Sequence, residues 1–369
     1  MAKPHSTDKI AKVSELSRKK DDFEESLFGG DEPRVLTRAQ SQQLRQRLAE
    51  ERLIKDLQER SPREADSISF MPAALVRLTL PYRQPKDSAG NFLDQYTRET
   101  SQLRLTIKTM RPEYGLPYGS FSRLLMAWVS QEAVRSKSPI IPLVSLRALC
   151  KLFGLSVNGV TAQRLKDHVL RIRYSLFYIE WRSLSKPSEN VTLTKDLLFP
   201  AVVAAELWQE RDVYGNLTLK ENSESYIRLS QEFFNEICMR PTPIDWRIYK
   251  ELNPSALAMD IYTYLTYRSS FTHYDTLLTW TELKNLFGAN YDTMAAFRKA
   301  FRIAMKKIVK FYTGLRCEDD ERGLLLKPDT RPSVPKQDLR PPTKRLPSRK
   351  TEPANEASVA ASKKKSASD

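Results

Sequence analysis

The segment TMAAFRKAFRIAMKKIVKFY (residues 293–312) carries the clearest helical pattern in this chain. Its large apolar side chains recur at spacings of three and four, so they fall on one stripe of a helix. Its six basic side chains have no acidic partner within the segment. Because like charges on one helix face repel each other, this face predicts an anionic partner, and a row of phosphates fits best. The apolar stripe consists of Met294, Phe297, Phe301, Met305, Ile308 and Tyr312.

The stretch before this helix repeats an arrangement found earlier in the chain. ELKNLFGANYD precedes the helix of residues 293–312, and ALCKLFGLSVNG precedes VTAQRLKDHVLRIR. Both copies predict a short helix that ends at LFG, a brief turn and a long helix, with left-handed backbone at Gly154 and Gly288. This layout is typical of a helix-turn-helix, whose second helix enters the major groove of DNA. Two ordinary helical hairpins, with a basic face that is only solvated, are the alternative.

Polar and basic side chains on the two long helices are the candidates for contact with DNA. Hydroxyl, amide and guanidinium groups near the start of such a helix suit base edges and phosphates. Further along the second helix we expect contacts with the backbone, and a structural role is an alternative for Arg298. We expect Asp167 and His168 to be incidental. The candidates are Thr161, Gln163, Arg164, Lys166, Arg171, Tyr291, Thr293, Arg298, Lys299, Arg302, Lys306 and Lys310.

The charge balance of the whole chain points the same way. The formal net charge is +15 and the sequence pI is about 9.6. Residues 1–66 are neutral, whereas residues 67–326 and 327–369 are both basic. A basic chain favours a polyanionic partner such as double-stranded DNA.

Cysteine spacing and hydropathy exclude several classes. Cys150, Cys238 and Cys317 lie far apart and form no CxxC pair, so we expect neither a zinc site nor a disulfide framework. The N-terminus has no apolar run after its lysines, and no stretch approaches about 18 apolar residues, so we expect neither a signal peptide nor a membrane span. We therefore expect a cytoplasmic protein with reduced thiols and no membrane partner.

Composition divides the chain into four segments. Residues 1–66 are mostly polar and are predicted to be largely disordered, with a possible helix at residues 36–60. Residues 67–190 and 191–326 each contain one copy of the repeat among predicted helices and strands. Residues 327–369 are basic and rich in Pro and Lys, so they are predicted to be disordered. The expected fold class is α+β, mostly helical, with two tandem domains between disordered tails.

Local patterns predict further elements. Alternating apolar and polar residues predict strands at residues 75–80 and 103–109. Two short stretches, residues 216–220 and 226–229, are expected to pair as a hairpin. Pro254 is expected in the first turn of a helix.

Patterns for catalysis are missing. No Gly in the chain is followed by Lys, so the phosphate-binding loop GxxxxGK[ST] of an ATPase is missing. The histidines, His5, His168 and His273, are too far apart for the metal site of a rolling-circle nickase. We therefore expect a non-enzymatic DNA-binding factor without a cofactor or a metal.

Several long motifs resemble the plasmid-encoded RepA replication initiator family. LPYGSFSRLLMAWVSQEAVRSKSP (residues 116–139) resembles the hallmark segment of that family. Three further segments follow in the family's order: LSQEFFNEICMRPTPIDWRIYKEL, SALAMDIYTYLTYRSS and LTWTELKNLFGANYDTMAAFRKAFRIAMKKI. The resemblance covers roughly residues 70–313. The turn LSVNGVTAQ departs from the family pattern, which is richer in Gly and Arg, so the sequence preference of the first domain is least transferable.

The resemblance implies a fold, a function and partners. It implies tandem winged-helix-type domains that bind repeated sites (iterons) at a plasmid origin, help to open the duplex and recruit host replication proteins. A helicase and a host initiator are the expected host partners, and a homodimer is left open. A transcriptional repressor of plasmid genes, or a nucleic-acid-binding protein without sequence preference, is the alternative.

One short peptide suggests a further partner. EESLF, which begins at Glu24 and ends at Phe28, weakly resembles the peptide that docks in the bacterial sliding clamp. It lacks the leading Gln and Leu of that peptide, so a chance match is the alternative.

Overall fold

Helices and strands alternate along the chain. The computed structural model describes residues 37–100, 102–182, 194–206, 210–211, 217–218, 225–239, 241–288 and 290–339. The helices are α1 (Arg38–Glu59), α2 (Ala73–Arg77), α3 (Gly119–Ser136), α4 (Leu146–Leu152), α5 (Gly159–Arg173), α6 (Gln231–Met239), α7 (Trp246–Glu251), α8 (Ala256–Ser269), α9 (Trp280–Phe287), α10 (Met294–Phe311) and α11 (Lys336–Leu339). The strands are β1 (Ile68–Met71), β2 (Gln95–Glu99), β3 (Leu103–Thr109), β4 (Ile140–Pro142), β5 (Ser175–Arg182), β6 (Thr194–Pro200), β7 (Val202–Glu206), β8 (Glu210–Arg211), β9 (Leu217–Thr218), β10 (Tyr226–Leu229), β11 (Thr242–Asp245), β12 (Thr276–Thr279), β13 (Cys317–Asp320) and β14 (Gly323–Leu326).

The strands form antiparallel sheets that are substantial for a fold expected to be mostly helical, so the fold is mixed α/β. The strand orders are β2-β3-β5-β6, β4-β10-β7, β12-β14-β13, β1-β11 and β8-β9. In the largest sheet Phe177 of β5 is the register partner of Phe199 of β6, and their rings stack with centroids 5.9 Å apart. Phe233 of α6 stacks on Phe199 at 5.4 Å, which joins the sheet to a helix.

Helices α3 and α8 lie at the centre of the molecule. Both are buried over most of their surface, as expected for helices covered on several sides. A buried ion pair joins them: Arg123 of α3 donates from Nε and Nη2 to the two carboxylate oxygens of Asp260 of α8, each at 2.7 Å. The remaining donors of Arg123 reach backbone carbonyls of Leu80, Pro81 and Gly119. The charged pair is therefore fully hydrogen-bonded inside the core.

The predicted repeat is confirmed as an order of elements. The first copy runs α3, β4, α4, α5, β5 and β6, and the second runs α8, β12, α9, α10, β13 and β14. In the second copy β14 lies between β12 and β13, so the hairpin after the long helix returns to pair with the strand before the short helix.

The two LFG glycines have different roles. Gly154 has φ +68°, so the predicted left-handed backbone is confirmed there. The same prediction is wrong for Gly288, whose φ is −89°. A Cβ atom at Gly288 would lie 2.6 Å from the carbonyl oxygen of Lys284, so glycine is needed there for close backbone approach.

Three other local predictions are wrong. No strand forms at residues 75–80, and residues 75–77 belong to helix α2. Ala74, Leu75 and Val76 are all buried, so the apparent alternation of apolar and polar residues does not mark one buried face. The hairpin expected between residues 216–220 and 226–229 is wrong for the described residues of the first stretch, since β9 pairs with β8, whereas β10 pairs with β4 and β7. Pro254 precedes the helix cap instead of lying in the first turn, because Ser255 caps α8 by accepting a hydrogen bond from the backbone of Ala258.

The predicted helix at residues 36–60 is confirmed as α1, and it packs on the rest of the molecule. Asp56 of α1 accepts a hydrogen bond from Nη1 of Arg247 at 2.9 Å, and Arg247 also binds Asp245. Leu53, Ile54 and Leu57 pack against the core.

The basic C-terminal segment is also partly folded. Residues 327–339 lie in the predicted disordered tail, yet Ser333 accepts a hydrogen bond from the hydroxyl of Tyr262 at 2.8 Å and Val334 is buried. The rest of that tail, residues 340–369, lies outside the described residues.

The buried ion pair predicts a large effect on stability. Asp260→Asn leaves the guanidinium of Arg123 without its counter-ion in the core, so the free energy of unfolding should fall by about 3–5 kcal/mol. Urea unfolding measures this change. Glu59→Gln is the matched control, because the Lys55–Glu59 pair is exposed to solvent and should contribute about 0–1 kcal/mol. A loss below about 1 kcal/mol for Asp260→Asn would contradict the assignment.

Candidate nucleic-acid interface

Helix α10 is fixed in rotation by its apolar stripe. Phe297, Phe301 and Ile308 are fully buried, and Ala304, Met305, Phe311 and Tyr312 are buried beside them. This confirms the predicted stripe except at Met294, which is half-buried. Thr293 caps the helix, since its side-chain oxygen accepts a hydrogen bond from the backbone of Ala296 at 3.2 Å. The cap and the stripe together determine which side chains face outward.

The outward face of α10 is basic. Lys299, Arg302, Lys306 and Lys310 are exposed, and Arg298 is half-buried. The face borders an open groove lined by Met294, Ala295, Arg298, Lys299, Arg302, Ile303 and Lys306. Among the described residues, no carboxylate forms an ion pair with Lys299 or Lys306. These two ammonium groups are therefore available to an anionic ligand.

Trp280, the first residue of α9, forms a platform under two of the arginines. The guanidinium carbons of Arg298 and Arg302 each lie 5.2 Å from the centroid of its ring. Trp280 is held in turn by Phe301, edge-on at 5.5 Å, and by a hydrogen bond from its indole N–H to the carbonyl of Glu321 at 3.0 Å. The platform is buried and rigid, so it limits the positions that both guanidinium groups can take.

Two carboxylates from outside α10 neutralise part of its basic face. Asp319 of β13 accepts hydrogen bonds from Nε and Nη2 of Arg302 at 2.8 Å and 3.3 Å. These hydrogen bonds raise the pKa of the Arg302 guanidinium. Glu50 of α1 forms an ion pair with Lys310 at the C-terminal end of α10. The basic stripe is therefore divided into paired and unpaired members.

Tyr291 lies in the turn before α10 and packs inward. Its ring meets Phe297 edge-on with centroids 5.7 Å apart, and burial raises the pKa of its hydroxyl. The ring therefore supports the turn between α9 and α10.

The start of α5 presents polar groups to the surface. Asn158 caps the helix by accepting the backbone N–H of Thr161 at 2.8 Å. Gln163 and Arg164 are exposed; Gln163 donates to Asp167 at 2.8 Å, and Arg164 lies over the ring of Phe121 at 5.9 Å. The side chains of Thr161 and Lys166 are half-buried.

Arg171, near the end of α5, is directed inward. Its Nη1 hydrogen-bonds to Gln84, and its guanidinium lies 5.0 Å from the ring centroid of Tyr118. Burial lowers the pKa of this guanidinium. We therefore leave Arg171 out of the surface proposed to contact DNA, since its guanidinium is held by neighbouring protein groups.

His168 is a structural residue of α5. Its Nδ1 forms a 2.8 Å hydrogen bond with the hydroxyl of Ser122, and its ring packs on Tyr118 and Phe121. Burial, together with Arg171 and Arg164 nearby, lowers its pKa to about 3. The imidazole is therefore neutral at physiological pH, as expected for a packed histidine.

The described residues hold no cluster of His, Cys, Asp and Glu side chains suited to a metal ion. None of the described helices is both long and apolar enough to span a membrane. All three cysteines are free thiols.

Comparison with known families agrees with the resemblance read from the sequence. Residues 116–280 match the family model described as plasmid encoded RepA protein. This region is a RepA-family replication initiator domain. The RepA match includes the buried pair Arg123–Asp260 and the whole of α5, and it ends at the first residue of α9. Helix α10 lies beyond the matched region.

Two solved structures of RctB resemble this chain at 14% sequence identity. The crystal structure of selenomethionine derivatives of RctB domains 2 and 3 has a TM-score of 0.46 and covers 70% of this chain and 98% of the RctB chain. The crystal structure of RctB domains 2–3 has a TM-score of 0.45 and covers 69% and 97% of the two chains. No curated protein sequence gives a significant match.

Sequence patterns do not identify Trp280, Asp319 and Glu50 as part of this surface. Asp319 lies 17 residues from Arg302, and Glu50 lies 260 residues from Lys310, so neither pair has a local spacing. The sequence gives only a weak indication of the role of Trp280. It is the first residue of the short helix in the second copy of the repeat, and Arg298 and Arg302 lie four residues apart on the long helix that follows.

The buried imidazole predicts an acid-sensitive stability. The pKa of His168 is about 6.5 in an unfolded chain and about 3 in the folded protein, so the unfolded state binds the proton more strongly. The stabilisation from neutral His168 is therefore complete above about pH 6.5 and is lost as the pH falls towards 3. Between pH 7 and pH 5 the free energy of unfolding should fall by about 2 kcal/mol from this residue alone.

Urea unfolding of His168→Gln at both pH values measures this contribution. The variant should lose most of that pH dependence, whereas the control His273→Gln, at an exposed histidine, should keep it. Equal pH dependence in wild type and His168→Gln would contradict the assignment.

Proposed function

We propose that this RepA-family protein initiates plasmid replication by binding repeated sites (iterons) in origin DNA through α5 and α10. The observation that carries the proposal is the exposed face of α10, where Lys299, Arg302 and Lys306 line one groove while Phe297 and Phe301 anchor the opposite side. Because its opposite side is anchored in the core, the helix presents these cations in a row along one face. Such a row suits the phosphates along a DNA groove.

The order of the elements supports two winged-helix-type units. In the second unit a helix, a strand, a short helix, a long helix and a hairpin follow each other, and the hairpin pairs with the first strand. The first unit follows the same order from α3 to β6. In such units the long helix lies in the major groove, so α5 and α10 are the proposed recognition helices. We propose residues 67–190 and 191–326 as the approximate extents of the two units.

The two helices suit different tasks. The exposed amide and guanidinium groups of Gln163 and Arg164 are suited to hydrogen bonds with base edges. The unpaired ammonium groups of Lys299 and Lys306 are compact point charges, which suit phosphates of any sequence. Lysine contacts give binding a steep dependence on salt concentration.

Several copies bound to tandem repeats would bend the origin. Bending and unstacking cost least at flexible and A·T-rich steps, so strain would concentrate in an adjacent A·T-rich segment. We propose that the protein acts without catalysis of its own and recruits host replication proteins to the opened duplex. The proposed clamp-binding peptide, from Glu24 to Phe28, lies outside the described residues.

Binding to origin DNA tests the proposal. Purified protein is titrated onto DNA that flanks its own gene, with a scrambled competitor, at two salt concentrations. Stepwise shifts that survive the competitor and footprint onto repeats would support an iteron initiator. Loss of binding with the competitor would contradict sequence-specific recognition. Failure to support replication in trans, despite specific binding at the promoter, would favour a repressor.

The unpaired lysines of α10 predict a sequence-independent loss of affinity. Lys299→Glu combined with Lys306→Glu should weaken binding to cognate and scrambled DNA alike, by about tenfold or more, because two phosphate contacts become repulsive. The slope of log affinity against log salt concentration should fall by about 2. Electrophoretic mobility shifts over a salt series measure both quantities.

The matched control is Lys55→Glu combined with Lys86→Glu. It changes the net charge equally at exposed lysines outside α10. If both double variants lose the same affinity, net charge explains the effect and α10 is not a DNA surface.

The polar start of α5 predicts a loss of discrimination. Gln163→Ala combined with Arg164→Ala should reduce the preference for cognate over scrambled repeats, because bidentate contacts with bases contribute about 1–3 kcal/mol each. Competition binding with both DNAs measures the ratio. Discrimination at the wild-type level would exclude base reading at these residues.

A further inference from the structure

Arg302 differs from the lysines beside it because its guanidinium is held in one orientation. One edge, formed by Nε and Nη2, donates to the two carboxylate oxygens of Asp319 at 2.8 Å and 3.3 Å. The guanidinium also lies over the ring of Trp280, with its carbon 5.2 Å from the ring centroid. An arginine fixed at an edge and at a face has already lost the rotamer freedom that a mobile side chain gives up on binding.

The two groups that hold Arg302 are joined to each other through the hairpin. Asp319 belongs to the hairpin of β13 and β14, and the carbonyl of Glu321 in the same hairpin accepts the indole N–H of Trp280 at 3.0 Å. Trp280 is buried, with an exposed fraction of 3%. The hairpin, the platform and the guanidinium therefore form one closed set of contacts: Arg302 to Asp319, Arg302 to Trp280, and Trp280 back to the hairpin.

The open edge of Arg302 is the part suited to a ligand. The guanidinium has five N–H donors, and Asp319 takes one on Nε and one on Nη2. Both donors of Nη1 remain, together with the second donor of Nη2, and the side chain is 48% exposed beside the groove of α10. Two parallel N–H groups at a fixed orientation match two neighbouring acceptors, such as O6 and N7 of guanine.

The charge around Arg302 argues against a purely electrostatic phosphate contact. The hairpin carries four acidic residues in a row, Glu318, Asp319, Asp320 and Glu321, and Asp319 binds Arg302 on the basic face. A side chain that serves only to attract phosphates gains nothing from a carboxylate partner, because the carboxylate cancels its charge and repels the DNA backbone. A side chain that hydrogen-bonds to a base benefits from the same partner, because the carboxylate fixes the direction of its remaining N–H groups.

We propose that Arg302 reads a guanine in the DNA site, and that Asp319 and Trp280 are positioning residues that aim it. This refines the expectation of a backbone contact at Arg302, and it rests on the proposed DNA-binding function. Lys299 and Lys306, on the same groove, supply the sequence-independent contacts. Recognition by α10 therefore combines one directional contact with flanking point charges.

Arg302→Lys tests the proposal, because it keeps the positive charge and removes the paired N–H donors of the guanidinium. Binding is measured against the cognate repeat and a set of repeats with each base pair replaced in turn. Arg302→Lys should lower cognate affinity by roughly tenfold to hundredfold, abolish the penalty for replacing one G·C pair, and leave affinity for scrambled DNA and the salt slope unchanged.

Asp319→Asn tests the positioning role. It should weaken the preference at the same base pair and leave affinity for scrambled DNA equal to or above that of wild type, because a negative charge is removed. Asp320→Asn is the matched control: it makes the same change in the same hairpin, but Asp320 binds Arg322 and not α10. This control should keep the wild-type base profile.

The outcomes separate this inference from the proposed function. If wild type shows no preference for origin repeats, sequence-specific binding fails and the inference fails with it. If wild type binds repeats specifically while Arg302→Lys and Asp319→Asn keep its base profile, Arg302 is not a base reader and the proposed function stands. Circular dichroism spectra and thermal unfolding verify that all variants fold, as expected for side chains that are about half exposed.

Discussion

The buried ion pair between Arg123 and Asp260 is the constraint on which the rest of the structure depends. It joins the two central helices, α3 and α8, each of which opens one copy of the repeat. Inside a core, a charged pair is tolerated only when its geometry and its remaining hydrogen bonds are complete, so the pair fixes how these helices meet. Both residues lie within the RepA-family region.

The position of the proposed interface follows from this core. Helix α10 packs on α8, and its phenylalanines determine which side faces outward. Trp280 and the hairpin then hold one cation of that side, the guanidinium of Arg302, in a defined orientation. The same surface thus combines charge, which attracts any nucleic acid, with geometry, which distinguishes one ligand from another.

The helices were largely predictable from the sequence because their signals are local. The apolar spacing in α10, the cap at Thr293 and the layout around LFG each lie within a few residues. The strand pairing was not predictable in the same way: β10 pairs with β4, whose residues lie 84 to 88 positions earlier, and periodicity does not indicate which strands pair. Burial on all sides also removed the alternation that distinguishes strand from helix in α2.

The candidate site shows the same difference between local signals, which the sequence contains, and long-range contacts, which it does not reveal. The basic residues of α10 could be found from their spacing, but the difference between paired and unpaired members could not. Asp319 and Glu50 come from other elements, and each changes what its partner on α10 can do. Arg171 is a residue that the sequence predicted at the site and that the structure holds elsewhere. Its place on α5 suggested a ligand contact, whereas Gln84 and Tyr118 hold its guanidinium inward.

The contacts of α1 determine where a folded fragment can begin and end. Cutting the chain at residue 66, where the composition changes, would remove Asp56 from Arg247 and Glu50 from Lys310. Cutting it at residue 326 would remove Ser333 from Tyr262 and uncover a buried phenol. A unit that keeps these contacts, with α1 and α11 whole, runs from the cap at Thr37 to Leu339, so fragments for crystallisation or binding assays should span residues 37–339.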